Sequence, residues 1–290
     1  MSIETKKLNQ LKEWTILDLI KWSEKYLKSK NIPNSRKESE WFLSDIFNCD
    51  RLELYLQFDK VVGTQKLKIF KSYILRRINQ EPFQYIINKA PFYGRDFYVN
   101  QNVLIPRPET ETIIEIIKKQ KNVDSVLDIG TGSGCLAITL NLESFSDNVV
   151  AIDNMQSALD IAKKNSKTFE CKNIIFNCLD ILKEIPSQKF DIVISNPPYI
   201  SNEEINFLDK NIIDYEPLNS LTDTKDGLEF YKRFNDIFDN IVKPKGKLIV
   251  EFGGNHQVES LKTIFNSEKY NLIFHKDLNN NQRILEIFKK

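Results

Sequence analysis

Five short apolar runs, Ser125–Ile129, Asn148–Asp153, Ile174–Asp180, Phe190–Ser195 and Lys247–Phe252, alternate with stretches of helical spacing, and that alternation leaves few architectures open. Strands that stay apolar along their length are buried on both faces, and connections long enough to form a helix return each strand parallel to the last. The pattern predicts an α/β domain with a mostly parallel sheet covered by helices on both sides. Two more apolar segments, Tyr270–His275 and Gln282–Phe288, flank the turn-forming Asn279-Asn-Asn281 and read as an antiparallel hairpin at the sheet edge, which makes seven strands in all.

The amino-terminal part follows another rule. Residues 1 to 80 carry helical spacing throughout, with Ile16, Leu19, Ile20, Trp22 and Tyr26 on one stretch and Trp41, Phe42, Ile46 and Phe47 on another. Thr15 and Ser35 stand where N-caps belong, and Asn31-Ile-Pro-Asn34 reads as a turn. All three tryptophans fall here, at spacings that predict a packed core rather than a binding platform. A small helical bundle over 1–80 is expected, then a linker over 81–105 in which Phe92–Val99 alternates about Gly94 as a hairpin does, then the α/β domain over 106–290. A chain of 290 residues is long enough for such a division. Two prolines in Leu104-Ile-Pro-Arg-Pro-Glu-Thr-Glu111 keep that segment out of helix and central strand until a helix begins near Thr112.

Charge and cysteine usage narrow the function. Lys+Arg at 41 against Asp+Glu at 40 leaves +1, without the strong positive field of a dedicated nucleic-acid binder. Cys49, Cys135, Cys171 and Cys178 form no CxxC pair and only two histidines accompany them, so neither a zinc site nor a disulfide framework is indicated, and they read as reduced core residues. The segment Met1–Lys7 has no apolar leader, and no run approaches the length needed to cross a bilayer. A cytoplasmic protein with no metal and no membrane partner is expected.

Chemistry concentrates in two segments. Leu127-Asp-Ile-Gly-Thr-Gly-Ser-Gly134 lies between a strand and a helix, where ligands bind in open α/β sheets. Glycines there let a cofactor approach the backbone, and the free N–H groups of the helix start face a polar or anionic group. Gly130, Thr131, Gly132, Ser133 and Gly134 are therefore candidate cofactor residues. Because Gly132–Ala137 also fits the dinucleotide pattern, the loop alone does not separate nicotinamide from S-adenosylmethionine. Asp153, ending the second strand, is placed to accept from a ribose diol or to cap the following helix; Asp180, ending the third, is placed to reach an adenine amine or to cap, and Ile181 to pack on the ring.

The second segment is Asp191-Ile-Val-Ile-Ser-Asn-Pro-Pro-Tyr199, which sets Asn196, Pro197, Pro198 and Tyr199 directly after the fourth strand. Two prolines hold the backbone extended and remove two donors, so carbonyls line it. An amide or aryl NH₂ is a poor nucleophile because its lone pair is delocalised, and its hydrogens lie in the molecular plane. Acceptors on Asn196 Oδ1 and the Pro197 carbonyl would hold those hydrogens, aim the lone pair at a sulfonium methyl, and leave Tyr199 to stack on the plane. Alignment of this kind lowers a barrier by about 7–11 kcal/mol without a strong base. Once methylated, the nitrogen is acidic enough to release its proton to Asn196, the carbonyl or water.

With these residues in order, the sequence resembles the PrmC/HemK family of peptide chain release factor glutamine N5-methyltransferases over nearly its whole length. The resemblance rests on Leu104–Glu111, Leu127–Gly134, Ile194–Ile200, Tyr215-Glu-Pro217 and Asp226-Gly-Leu-Glu-Phe-Tyr231. It implies a Rossmann-like class I methyltransferase fold and methylation of the glutamine in the Gly-Gly-Gln loop of release factors, with S-adenosylmethionine as donor and S-adenosylhomocysteine as product. It also implies that the helical domain holds the release factor, that Gly130–Gly134, Asp153, Ile181 and Asn196 bind cofactor, and that Asn196–Tyr199 bind substrate. Arg107 and Glu109 are expected to order the loop over the cofactor and recognise the partner backbone, in a monomeric enzyme that needs no nucleic acid. The sequence departs from the family at Ile181, where some members carry tryptophan and an aliphatic side chain stacks less well, and at Asp223-Thr-Lys225, where a glycine pair is common.

Other readings use parts of the same pattern. Adenine-N6 DNA methyltransferases present a similar motif to a flipped base, but the near-neutral charge and the lack of an inserted basic domain weigh against them. Glutamine methyltransferases of large-subunit ribosomal proteins resemble the chain less at Ile105–Glu111. A nicotinamide dehydrogenase leaves Asn196–Tyr199 without a use, and a non-catalytic binding module makes them dispensable.

Overall fold

The computed structural model describes residues 13–120, 123–277 and 279–290. The first twelve residues of the expected helical domain, including the Met1–Lys7 segment, lie outside the described residues. Contacts divide the chain into two compact units, the first ending at Ile87 and the second spanning Asn88–Lys290.

The first unit holds the helices Ile16–Ser29, Ser35–Phe47, Arg51–Tyr55, Thr64–Ile78 and Phe83–Ile87. Thr15 starts the first with a capping box, its Oγ1 accepting from Asp18 N at 3.2 Å while its own N–H donates to the Asp18 carboxylate at 3.4 Å. Asn34 rather than Ser35 is the N-cap of the second helix. Asn34 takes a left-handed φ of 53°, and Ser35 Oγ instead donates back to Ile32 O at 2.6 Å, closing the turn. Ile16, Leu19, Phe42, Leu43 and Phe70 are fully buried in the centre. The tryptophans pack in this bundle: Trp22 stacks on Tyr26 with centroids 5.3 Å apart, and Trp41 meets Phe83 at 5.3 Å. Phe83 also lies 4.8 Å from Phe42, so the last short helix belongs to this core and the unit ends at Ile87, not at residue 80.

The second unit begins with the hairpin β1 (Lys89–Phe92) and β2 (Arg95–Tyr98). Phe92 pairs with Arg95 across Tyr93-Gly94, whose φ values of 50° and 73° are both positive, as the two-residue turn that matches strand twist requires. Phe92 and Phe97 are buried in the α/β core, and Asn165 ties down β2 by accepting from Tyr98 N at 2.8 Å and donating to Tyr98 O at 3.0 Å. The hairpin is thus part of this unit rather than a free linker.

Seven strands follow: β3 (Ser125–Ile129), β4 (Asn148–Asp153), β5 (Ile174–Cys178), β6 (Phe190–Ser195), β7 (Val242–Glu251), β8 (Tyr270–Lys276) and β9 (Gln282–Lys289). They form one sheet in the order β5-β4-β3-β6-β7-β9-β8, parallel through β7, with β9 antiparallel to both neighbours. Alternate residues face two cores. Leu127, Ile129, Val193 and Val250 pack under Tyr231 and Phe234 of the helix Glu229–Ile241, while Val126, Ile192 and Ile249 pack under Ile113 and Leu136 of the helices Glu111–Ile117 and Cys135–Leu142. β7 starts earlier than its apolar run because Val242 already pairs with Phe190, before a register shift that leaves Lys245 at φ 68°. All four cysteines are free, but Cys178 is exposed rather than in the core, since β5 is an edge strand and presents that end to solvent. No helix among the described residues is long and apolar enough to cross a membrane.

The order of strands fixes where a ligand goes. The chain winds from β3 outward through β4 and β5, then returns to place β6 on the other side of β3. Connections leave β3 and β6 in opposite directions, so a crevice opens beyond their carboxyl ends. The glycine loop follows β3 there and Asn196 follows β6.

Candidate active site

The glycine loop is shaped by its own backbone. Gly130, Gly132 and Gly134 have φ of 72°, 54° and 81°, a region that side chains disfavour. Gly130 N and Thr131 N both donate to Ile152 O, at 2.9 and 3.0 Å, and the Asp153 carboxylate accepts from Gly132 N and from Met155 N, each at 3.0 Å. The loop is thereby stitched to the end of β4. A carboxylate has about four lone-pair directions, so acceptor capacity remains at Asp153 for a ligand hydroxyl. Burial raises its pKa, against the backbone bonds from Met155, Gly132 and Asn154. Its carboxylate does not cap the following helix: the N-cap is Met155, which makes no side-chain cap bond. Beneath the loop, Asp128 is buried and accepts from Thr131 Oγ1 at 2.7 Å; burial pushes its pKa up to about 7.

A cleft of about 1020 Å³, counting its open mouth, lies over this loop. Gly130, Thr131, Gly132 and Ser133 line its floor and Asp153 one wall. Gly134 is not among the lining residues; a Cβ there would come within 2.9 Å of Ile138 Cδ1 and 3.1 Å of Ala162 Cβ, so this glycine lets two helices close together. Leu179, Asp180, Ile181 and Phe230 line the far end. Asp180 accepts from Leu182 N at 3.1 Å and pairs with Lys183 at 2.8 Å, which holds the turn carrying Ile181. Arg233 Nε fixes the same turn by donating to Ile181 O at 2.8 Å. Ile181 is 4% exposed and gives the cleft an apolar wall.

Asn196, Pro197 and Pro198 line the near side of this cleft. A second cavity adjoins it, lined by Tyr199, Ile200, Leu208 and Ile212, and Asn196, Leu104, Arg107 and Ser220 line both. Asn196 thus stands where the two spaces meet. Its Nδ2 donates to Thr110 Oγ1 at 3.1 Å, and Thr110 Oγ1 donates to Glu251 Oε2 at 2.6 Å. The strand register explains the proximity: Ser195 pairs with Val250, so Asn196 and Glu251 are the next residues along adjacent strand ends. Tyr199 Oη donates to the other Glu251 oxygen at 3.4 Å. Burial raises the Tyr199 pKa, and the Glu251 charge raises it further.

The remaining motifs build the walls. Arg107 Nη2 pairs with Glu216 Oε1 at 2.7 Å, and Ile105 N donates to the other oxygen of this nearly buried carboxylate at 3.4 Å. Leu104–Glu111 and Tyr215-Glu-Pro217 are therefore clasped together beside both cavities. Glu109 lines neither cavity and bears on the site through its charge, which helps raise the pKa of Glu251. Gly227 packs so closely on the Tyr199 carbonyl that a Cβ would fall 2.3 Å from its oxygen; the Gly227 N–H donates to Asp223 Oδ1 at 3.0 Å, and Gln257 Nε2 donates to the Tyr199 carbonyl at 2.9 Å. Tyr231 Oη donates to Glu251 O at 2.8 Å. Thr110, Glu251 and Asp128 were not singled out from sequence. The signal was there for Glu251 and Asp128, each a lone acid inside an apolar strand run.

A doubly wound sheet with a glycine-loop cleft and an Asn-Pro-Pro-Tyr segment at its switch point defines a methyltransferase of nucleoside-cofactor type. Residues 18–87 match the PrmC N-terminal domain family and residues 108–215 the methyltransferase small domain family. The release factor glutamine methyltransferase of Geobacter sulfurreducens is 35% identical, with 83% of this chain and 84% of the relative covered. That of Bacillus subtilis is 38% identical over 82% of this chain and 85% of the relative. Among solved structures, a methyltransferase from Pyrococcus furiosus superposes with a TM-score of 0.52 at 18% identity, covering 76% of this chain and 97% of that one, which supports the fold. The chain belongs to the release factor glutamine methyltransferase family and is an S-adenosylmethionine-dependent methyltransferase.

Proposed function

We propose that this protein methylates the side-chain amide nitrogen, N5, of the glutamine in the Gly-Gly-Gln loop of peptide chain release factors, and so supports translation termination. One observation carries the reading: Asn196 lies between a cleft suited to a nucleoside cofactor and a second cavity lined by Tyr199. The cleft fits S-adenosylmethionine in its parts. Asp153 retains acceptor capacity for ribose hydroxyls, Ile181 and Phe230 give an apolar place for adenine, and the loop Gly130–Ser133 exposes backbone that side chains would cover. When bound, S-adenosylmethionine supplies an electrophilic methyl group on a sulfonium and leaves as S-adenosylhomocysteine.

The chain's own residues do the rest. Asn196 Oδ1 and the Pro197 carbonyl accept the two amide hydrogens of glutamine, Tyr199 packs on the amide plane, and Pro198 keeps the segment extended. Arg107 shapes the entrance that both cavities share. Nothing in this scheme calls for a metal ion or nucleic acid, and it has the protein act as a cytoplasmic monomer whose helical unit engages the release factor.

The test is transfer of labelled methyl from S-adenosylmethionine to purified release factor, to the same factor with its loop glutamine replaced, to large-subunit ribosomal protein and to DNA. Label on intact release factor alone is expected. Label on ribosomal protein or DNA would keep the methyltransferase and overturn the substrate, and normal transfer by Asn196→Ala would end the amide clamp.

A further inference from the structure

Asn196 is useful to an amide substrate only if its carboxamide is turned the right way, with the oxygen rather than the NH₂ toward the incoming hydrogens. The two ends of a carboxamide are nearly equal in size and opposite in hydrogen-bonding sense, so packing alone does not choose between them. Something with a fixed donor or acceptor role has to.

We propose, resting on the amide-substrate reading above, that Glu251 and Thr110 are positioning residues that set the orientation of Asn196. A hydroxyl has one proton. Thr110 gives that proton to Glu251 Oε2 at 2.6 Å, so Thr110 Oγ1 faces Asn196, 3.1 Å away, only as an acceptor. Asn196 must then present Nδ2 to Thr110, and its oxygen is turned away from Thr110. Glu251 is 1% and Thr110 3% exposed, so water does not compete for the bond between them, while Asn196 is half-buried where it faces the cavities.

The relay depends on Glu251 being ionised. A protonated Glu251 donates to Thr110 Oγ1, freeing the threonine proton for the Asn196 oxygen, and the carboxamide then reverses. Charges reach Glu251 from several elements. Glu109, on the turn before the helix Glu111–Ile117, raises its pKa; Arg283 on β9 lowers it; and Tyr199 lowers it by donating a hydrogen bond. The Tyr231 hydroxyl is spent on the Glu251 main-chain oxygen. Burial is the largest influence and leaves the pKa at about 7. Methyl transfer is therefore expected to rise with pH and level off above about 7 in the wild type.

The experiment measures single-turnover methyl transfer to purified release factor against pH, with S-adenosylhomocysteine affinity by calorimetry, for wild type, Thr110→Ser, Thr110→Val and Glu251→Gln. Thr110→Ser keeps the hydroxyl and should stay close to the wild-type rate. Thr110→Val removes it, and a misoriented clamp should cost about 10- to 100-fold in rate, with cofactor affinity unchanged. Glu251→Gln either donates or accepts at Thr110, so the rate should fall and the dependence on pH near 7 should vanish. Wild-type rates in Thr110→Val, or an undiminished pH step in Glu251→Gln, would overturn the relay, as would loss of cofactor affinity in proportion to rate. A wild type that leaves the release factor glutamine unlabelled would overturn the substrate reading itself.

Discussion

Replacing Gly227 by alanine should damage this enzyme at a distance from any ligand, and the structure supplies an internal reference for how much. Gly227 has φ of 75° and Gly94, in the β1–β2 turn, has φ of 73°. Their backbone strain on acquiring a side chain is the same, about 1–2 kcal/mol for an L-residue in the left-handed region. Their surroundings differ. A Cβ on Gly94 meets nothing within 4 Å, whereas one on Gly227 falls 2.3 Å from Tyr199 O and 3.0 Å from Tyr199 C. That is about 1 Å inside ordinary contact, and forced overpacking costs a further ~1–3 kcal/mol.

Relief requires moving the Tyr199 carbonyl, which also accepts from Gln257 Nε2 at 2.9 Å. A displacement of about 1 Å in the Asn196–Tyr199 segment is enough to lose about 100-fold in rate when geometry is the source of catalysis. Gly94→Ala should therefore lower stability by about 1–2 kcal/mol in denaturant unfolding and leave methyl transfer intact. Gly227→Ala should lower it by about 2–5 kcal/mol and cut kcat about 100-fold, measured on protein still folded by circular dichroism. Equal stability losses for the two variants, or an unimpaired kcat in Gly227→Ala, would refute the claim that contact with Tyr199 fixes the catalytic segment.

Asp153→Ala removes the acceptor proposed for the ribose together with the staple on Gly132 N, and calorimetry should show S-adenosylhomocysteine binding weakened by about 1.5–3 kcal/mol; unchanged affinity would leave Asp153 a purely structural role. Thr224 has φ of 62°, so Thr224→Gly should raise stability by about 1 kcal/mol, seen as a higher unfolding midpoint, and no gain would mean that the Thr222 and Asp223 bonds already remove the strain. Asp128 has its pKa raised from 3.8 to about 7, so the folded state binds its proton more tightly than the unfolded one. The stability this confers is complete below 3.8 and lost as pH rises through about 7. Relative to wild type, Asp128→Asn should therefore unfold at a higher temperature at pH 8.5 than it does at pH 5, and a pH-independent difference would show that Asp128 titrates normally.

These predictions separate what a sequence states locally from what it states only through the fold. β3, β4 and β6 were legible to the residue because each is an apolar run that is buried on both faces, and burial is what the run encodes. β7 was read only from Lys247, where its apolar run begins; the preceding segment carries a register shift and a positive φ, but it is anchored by the Phe190–Val242 pair, which no local pattern announces. The glycine loop and Asn196–Tyr199 were legible because glycine and proline constrain their own backbone. Yet within the loop sequence alone did not distinguish Gly130 and Gly132, which face the cleft, from Gly134, which admits Ala162. Thr110 and Glu251 were hidden for the opposite reason. Neither has unusual backbone, and they come together only because parallel pairing of β6 with β7 sets Glu251 beside Asn196 and the Pro106–Glu111 turn drops Thr110 between them. Backbone demands thus mark where a ligand approaches, while the proton bookkeeping that sets the sense of a carboxamide resides in side chains 86 and 141 residues apart, and only the sheet's register connects them.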